Sequence, residues 1–178
     1  MRELREIPFT SSVDLDDLPE IDVAAQLNNH FEQHGWIVTP EVDGQTPKGD
    51  PVRLDAVLSQ RDSNLILGIE YKRLDSHSEK LPDTLIQALK YTEAVWHIPF
   101  SIGCQSSFRG RLPIFILPDW IGQVEDKTFK SFLGKQGIGT GVIRKNGNVD
   151  LKIRGRNVWG TQAGFGAGAS LKNLVPTY

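Results

Sequence analysis

Leu65-Ile66-Leu67-Gly68-Ile69-Glu70-Tyr71-Lys72 decides how this chain is read. An apolar run this short reads as a central strand, dry on both faces, until charge interrupts it. Period two then places Glu70 and Lys72 on one face and Tyr71 on the other. A carboxylate in such a strand costs several kcal/mol or more unless it is paired or holds a metal.

The strand before it supplies the second half of the argument. Across residues 52–59, Val52, Leu54, Ala56 and Leu58 share one face, and Arg53, Asp55, Val57 and Ser59 share the other. Gln60-Arg61-Asp62-Ser63-Asn64 reads as the hairpin turn between the two strands. A turn centred between Asp62 and Ser63 sets Asp55 directly opposite Glu70. A slip of one residue would send the two carboxylates to opposite faces. Facing like charges repel, and a divalent cation between them reverses the sign. Gly68, on the face of Glu70, would leave room for a substrate backbone.

Outward from this hairpin the pattern is α/β. Val23, Leu27, Phe31 and His34 recur at helical spacing over residues 19–34, and Gly35 is a C-terminal stop. Residues 36–39 read as a short strand and 43–51 as a turn-rich loop. After residue 72, a helix is expected over 82–95, with Pro82 in its first turn and Leu85, Ala88, Leu89 and Thr92 on its apolar side. A strand at 112–117, a helix at 126–135 and a hairpin at 142–153 around Asn146-Gly147 complete the order. The expected architecture is a mixed central sheet flanked by helices. It comprises a polar arm at 1–18 and one domain from 19 to 178. The core lies at about 20–118, with an accessory helix and an added basic C-terminal hairpin at 119–178.

Length and composition agree with a single globular domain: 178 residues, 39% apolar and 24% charged. Cys104 is the only cysteine, which excludes an internal disulfide, a cysteine zinc cluster and a four-cysteine iron–sulfur cluster. No apolar run is long enough to cross a membrane, and the first six residues lack the apolar core of a secretory signal. A reducing cytoplasm is the expected compartment. The net charge of −2 hides an asymmetry. From Lys127 to Tyr178 there are nine Lys/Arg and one acid, Asp150, against 11 basic and 21 acidic residues before them. This basic third either meets an anionic partner or only solubilises the surface. Arg144, Lys145, Lys152, Arg154 and Arg156 make the hairpin the candidate phosphate-tracking element.

Asp55, 14 intervening residues and Glu70-Tyr71-Lys72 together resemble the signature of the PD-(D/E)xK, restriction-endonuclease-like nuclease superfamily, and the order of helix, three strands and helix resembles its core. The resemblance covers roughly residues 20–118. It implies that Asp55, Glu70 and the Tyr71 carbonyl hold Mg²⁺, with Mn²⁺ as a substitute, and that Lys72 serves the water nucleophile. Many members carry a metal-site glutamate on the first helix, where this chain offers Glu20, Gln26 and Glu32. Gln87-Ala88-Leu89-Lys90-Tyr91 resembles the Q-x-x-x-Y motif of the RecB-like branch, whose pair contacts the substrate strand. The implied activity is metal-dependent hydrolysis of nucleic acid, DNA ahead of RNA, with a homodimer left open. A catalytically silent relative and a non-nuclease adaptor or inhibitor are the alternatives.

Other features carry less. His30 and His34 are four apart on a helix, a spacing that suits packing as well as a metal. His77 follows the site strand and could touch substrate. Gly164-Phe165-Gly166-Ala167-Gly168 is no dinucleotide loop, because no strand leads into it, and reads as a flexible loop. Trp36, Trp96, Trp120 and Trp159 read as core or rim, although an exposed Trp159 beside the basic stretch could stack on a base.

Overall fold

The structure, a computed structural model, describes residues 20–60, 65–72, 81–98, 108–118, 127–144, 147–166 and 174. The N-terminal arm, the expected turn at 61–64, His77, Cys104, Trp120 and Lys145 lie outside the described residues. Helix α1 (Glu20–Gln33) leads into β1 (Ile37–Gln45), β2 (Pro51–Ser59) and β3 (Ile66–Tyr71). Helix α2 (Leu81–Glu93) follows, then β4 (Val95–Ile98), β5 (Phe108–Gly110) and β6 (Ile114–Leu117). Helix α3 (Lys127–Lys135) precedes β7 (Ile138–Ile143), β8 (Val149–Ile153), β9 (Arg156–Gly160) and β10 (Gly164–Phe165).

Among the described residues the ten strands form one mixed sheet in the order β10-β9-β8-β7-β6-β3-β2-β1-β4-β5. β3 pairs in parallel with β6, and β6 with β7, while β1–β2 and β2–β3 are antiparallel. The centre is dry: every residue of β3 and β6 is buried, as their continuous apolar sequences require. α1 covers one face, where Val23, Leu27 and Phe31 join Ala56, Leu58, Leu67, Ile69 and Tyr71. α2 and α3 cover the other, where Leu85, Ala88 and Leu133 meet Ile116 and Ile138.

Several boundaries differ from the sequence reading. β1 is nine residues long, and its second half pairs with β2 where a loop is expected. Only residues 46–50 turn, closed by the Thr46 N–H donating to the Asp50 carbonyl at 2.9 Å. Val95 begins β4 instead of ending α2. The C-terminal strands are not an appendage, because β7 docks on β6 inside the sheet. The β8–β9 turn is Arg154-Gly155, both at positive φ (52° and 72°), the left-handed pair that suits a two-residue hairpin. Gly164 and Phe165, expected in a flexible loop, instead form β10, while Ala167 and Gly168 lie outside the described residues. The Gly166 N–H donates to the Val158 carbonyl at 2.9 Å, and any Cβ on Gly166 would collide with the Asn157 carbonyl.

One irregularity bears on the site. The β1–β2 ladder runs from Ile37↔Ser59 to Pro40↔Ala56 and from Val42↔Leu54 to Gln45↔Pro51, leaving out Glu41 and Asp55. Glu41 has φ 50°, an uncommon conformation for a residue with a side chain. The simple alternation expected along β2 breaks here. Ala56 and Leu58 pack towards α1, whereas Leu54 and Val52 join Val57 in the cluster with Tyr91 and Trp96.

Candidate active site

β2 and β3 pair as Ala56↔Ile69, Val57↔Gly68, Leu58↔Leu67 and Ser59↔Ile66. One further step in this register sets Asp55 opposite Glu70. The contact between the strands at that point is made by a side chain: the Tyr71 N–H donates to Asp55 Oδ2 at 2.7 Å. This bond orients the Asp55 carboxylate beside the C-terminal end of β3.

Asp55, Glu70 and Lys72 line one open cleft of about 710 Å³. Its other walls are Arg53 on β2 and Asp83, Gln87, Lys90 and Tyr91 on α2. Glu70 is only 4% exposed. Lys72 Nζ donates to Glu70 Oε1 at 2.5 Å, so the lysine compensates charge that burial would otherwise make costly. Gln87 Nε2 donates to the Tyr91 hydroxyl at 2.6 Å, joining side chains one helical turn apart. The Tyr91 ring is core, edge-on to Trp96 with centroids 5.6 Å apart. Burial raises its hydroxyl pKa to about 12, and the negative charges of Glu70 and Asp55 add to the rise. Tyr91 thus stands within the field of both carboxylates as a neutral phenol.

Tyr71 points to the other face, where its hydroxyl donates to Asn28 Oδ1 of α1 at 2.6 Å. Burial, then the charge of Asp55, holds that hydroxyl above its ordinary range. Among the described residues no α1 side chain lines the cleft, so the structure does not bring Gln26 or Glu32 to the two carboxylates. Gly68 serves packing instead of substrate: a Cβ there would sit 2.7 Å from Ile114 Cδ1 and 2.8 Å from Leu54 Cδ1. The sequence reading gave no site role to Arg53 or Lys90, both of which line the cleft. Arg53 stands two positions before Asp55, and Lys90 lies inside the Q-x-x-x-Y stretch, so spacing alone could have flagged both.

The donor set suits a hard cation. Two carboxylates from adjacent strands offer the oxygen ligands that Mg²⁺ prefers, and Mg²⁺ commonly makes do with one or two carboxylates plus waters. Among the described residues no group of three or more His, Cys, Asp or Glu is placed to hold a metal. An ion here would complete its shell from backbone carbonyl and water.

Two arginines of the expected basic hairpin are held within the protein. Arg144 Nε donates to Asp150 Oδ2 at 2.8 Å, and its Nη2 pairs with the same oxygen. Arg154 Nε donates to the Gly134 carbonyl at 2.9 Å, satisfying an end of α3. Arg156 is exposed. Trp159 is 3% exposed and packs against Phe31 and Trp36, so it is not a stacking platform for a base. His30 and His34 stack at 4.3 Å; His30 Nε2 meets the Thr161 hydroxyl at 2.9 Å, and His34 Nδ1 donates to the His30 carbonyl at 2.7 Å.

No family model matches this chain, and neither a curated protein nor a solved structure matches it. No helix among the described residues is long and apolar enough to cross a membrane.

Proposed function

We propose that this chain is a metal-dependent nuclease of the PD-(D/E)xK type that hydrolyses phosphodiester bonds in nucleic acid, DNA in the first instance. One observation supports this above all. Two carboxylates and a lysine, far apart in the sequence or on a strand that should be dry, line the same cleft. Asp55 and Glu70 would hold Mg²⁺, with the Tyr71 carbonyl as a further ligand. The metal, when bound, offsets charge building on a phosphate under attack. Lys72, tethered by Glu70, would orient the attacking water and neutralise the phosphate oxygens. Gln87 and the neutral Tyr91 hydroxyl can hydrogen-bond the substrate strand without adding charge. Arg53 and Lys90 bring positive charge to the same cleft, where phosphate must enter.

A second reading is a catalytically silent relative that binds nucleic acid or a protein. The tight Lys72–Glu70 pair favours it, since an ion pair can be an end in itself. Incubation with linear, circular and single-stranded DNA, in Mg²⁺, Mn²⁺ or EDTA, separates the two. Cutting that needs metal and disappears in folded Lys72→Ala protein supports the nuclease; the circular substrate then reports whether cutting is internal. Intact DNA under every condition supports the silent relative.

A further inference from the structure

A second concave feature lies in the helical layer, beside α3. It is a groove of about 520 Å³ between α3 and the β7–β8 pair. Lys127, Lys130 and Lys135 of α3 face Lys152 of β8 and Arg154 of the following turn across it. Ile138 and Val142 contribute apolar surface, and among the described residues no Asp or Glu lines it. Among the described residues Lys127, Lys135 and Lys152 form no ion pair with a carboxylate. Nearby Asp150 is already engaged by Arg144. Lys127, Lys135 and Lys152 so gathered repel one another, and an anionic ligand removes that cost.

We infer that this groove binds the phosphodiester backbone of a nucleic-acid strand, apart from the cleft that would cut it. The inference rests on the nucleic-acid reading above. Lys127 and Lys135 are eight residues apart on α3, about 12 Å at about 1.5 Å per residue. Each strand of a stacked duplex carries one phosphate per ~3.4 Å of helix axis, so the groove spans roughly three to four phosphates of a strand in helical form. α2 and α3 share one face of the sheet, so the basic groove and the cleft of Asp55 and Glu70 belong to one layer. The groove would hold flanking backbone by charge while the cleft takes the scissile bond.

The test is equilibrium binding of a fluorescent single-stranded oligonucleotide in EDTA, where no cutting occurs, across a salt series. It compares the parent with a Lys127→Gln/Lys135→Gln/Lys152→Gln variant. Three lost contacts reduce the log–log salt slope by about 2 and, near 0.1 M salt, the affinity by roughly 100-fold. An unchanged slope and affinity in the folded variant would overturn the inference. Displacement of the strand by inorganic tripolyphosphate as readily as by unlabelled strand, at equal phosphate, would overturn its assignment to nucleic acid. Cleavage is scored separately. Cutting with an unchanged slope removes the groove and leaves the nuclease; a falling slope without cutting does the reverse.

Discussion

Truncating Lys72 to alanine should unsettle the fold before it says anything about catalysis. The Lys72 ammonium sits 2.5 Å from Glu70 Oε1, with side chains 18% and 5% exposed. Removing one partner of a fully buried pair costs about 3–5 kcal/mol. Lys72 stands in an open cleft, so water can take over part of its role, and the expected loss is about 2 kcal/mol. For a chain of this size each kcal/mol moves Tm by roughly 2–4 °C, giving a fall of about 4–8 °C in EDTA. Mg²⁺ should then restore more stability to the variant than to the parent, because a cation between Asp55 and Glu70 no longer meets the ammonium. Saturation at about 100 times Kd contributes about 2.7 kcal/mol, some 5–11 °C. Thermal melts followed by circular dichroism, with EDTA or a Mg²⁺ titration, read both effects. Equal melting of variant and parent in EDTA would mean the pair is effectively solvated. No response to Mg²⁺ in either protein would refute the idea that these carboxylates are poised for a cation.

Three further outcomes follow from particular residues. Gly68→Ala forces a methyl against Ile114 and Leu54, so urea unfolding should show a loss of about 1–3 kcal/mol; undiminished stability with lost substrate binding would return Gly68 to a substrate role. At Glu41, whose φ is 50°, Gly should be neutral or better and Val should cost at least about 1 kcal/mol; equal stability of the two would show that the left-handed conformation is not held. His30 is held down to a pKa of about 4 by burial, with the His34 charge adding to it. Its depressed value means that protonation favours the unfolded chain, so stability is complete above pH 6.5 and falls as pH drops from 6.5 towards 4. His30→Gln should flatten that decline between pH 7 and 5.5, and an unaltered slope in denaturant titrations would assign it to other groups.

The hairpin was legible because two independent signals agreed. Alternation over residues 56–59 and the apolar run into Glu70 both depend on burial, and burial fixes register. The strands that escaped notice lack such a signal. β4, β5, β9 and β10 are two to five residues long, near the sheet edges, and hold their places by tertiary contacts. Trp96 shows why: its indole covers Gly44, where a Cβ would collide with the ring, and its Nε1 donates to the Tyr91 carbonyl at 3.1 Å. Local sequence records neither partner, so Val95 reads as the end of a helix. The basic hairpin failed in the opposite way. Five like charges close in sequence suggested one surface, yet Arg144 and Arg154 are spent on Asp150 and on the end of α3. The lysines of α3, which no motif singled out, instead gather with Lys152.

The break in β2 explains why the cleft lies where it does. Strict alternation would send Leu54 to the α1 face and leave little apolar cover beneath α2 at the strand end. With Glu41 left-handed and the Glu41–Asp55 pair missing from the ladder, Leu54 and Val52 turn to the α2 side and close the floor under Tyr91. Asp55 is then free of the β1 ladder. It accepts instead from the Tyr71 N–H, at the step where the β2–β3 register meets Glu70. The strain stored at an exposed glutamate on β1 thus supports the geometry of a carboxylate on β2. Such strain persists only where surrounding structure over-determines it. Here the surroundings are the tightly packed pair of Leu54 and Ile114 over Gly68, so the floor of the cleft and the placing of its acid are one packing problem.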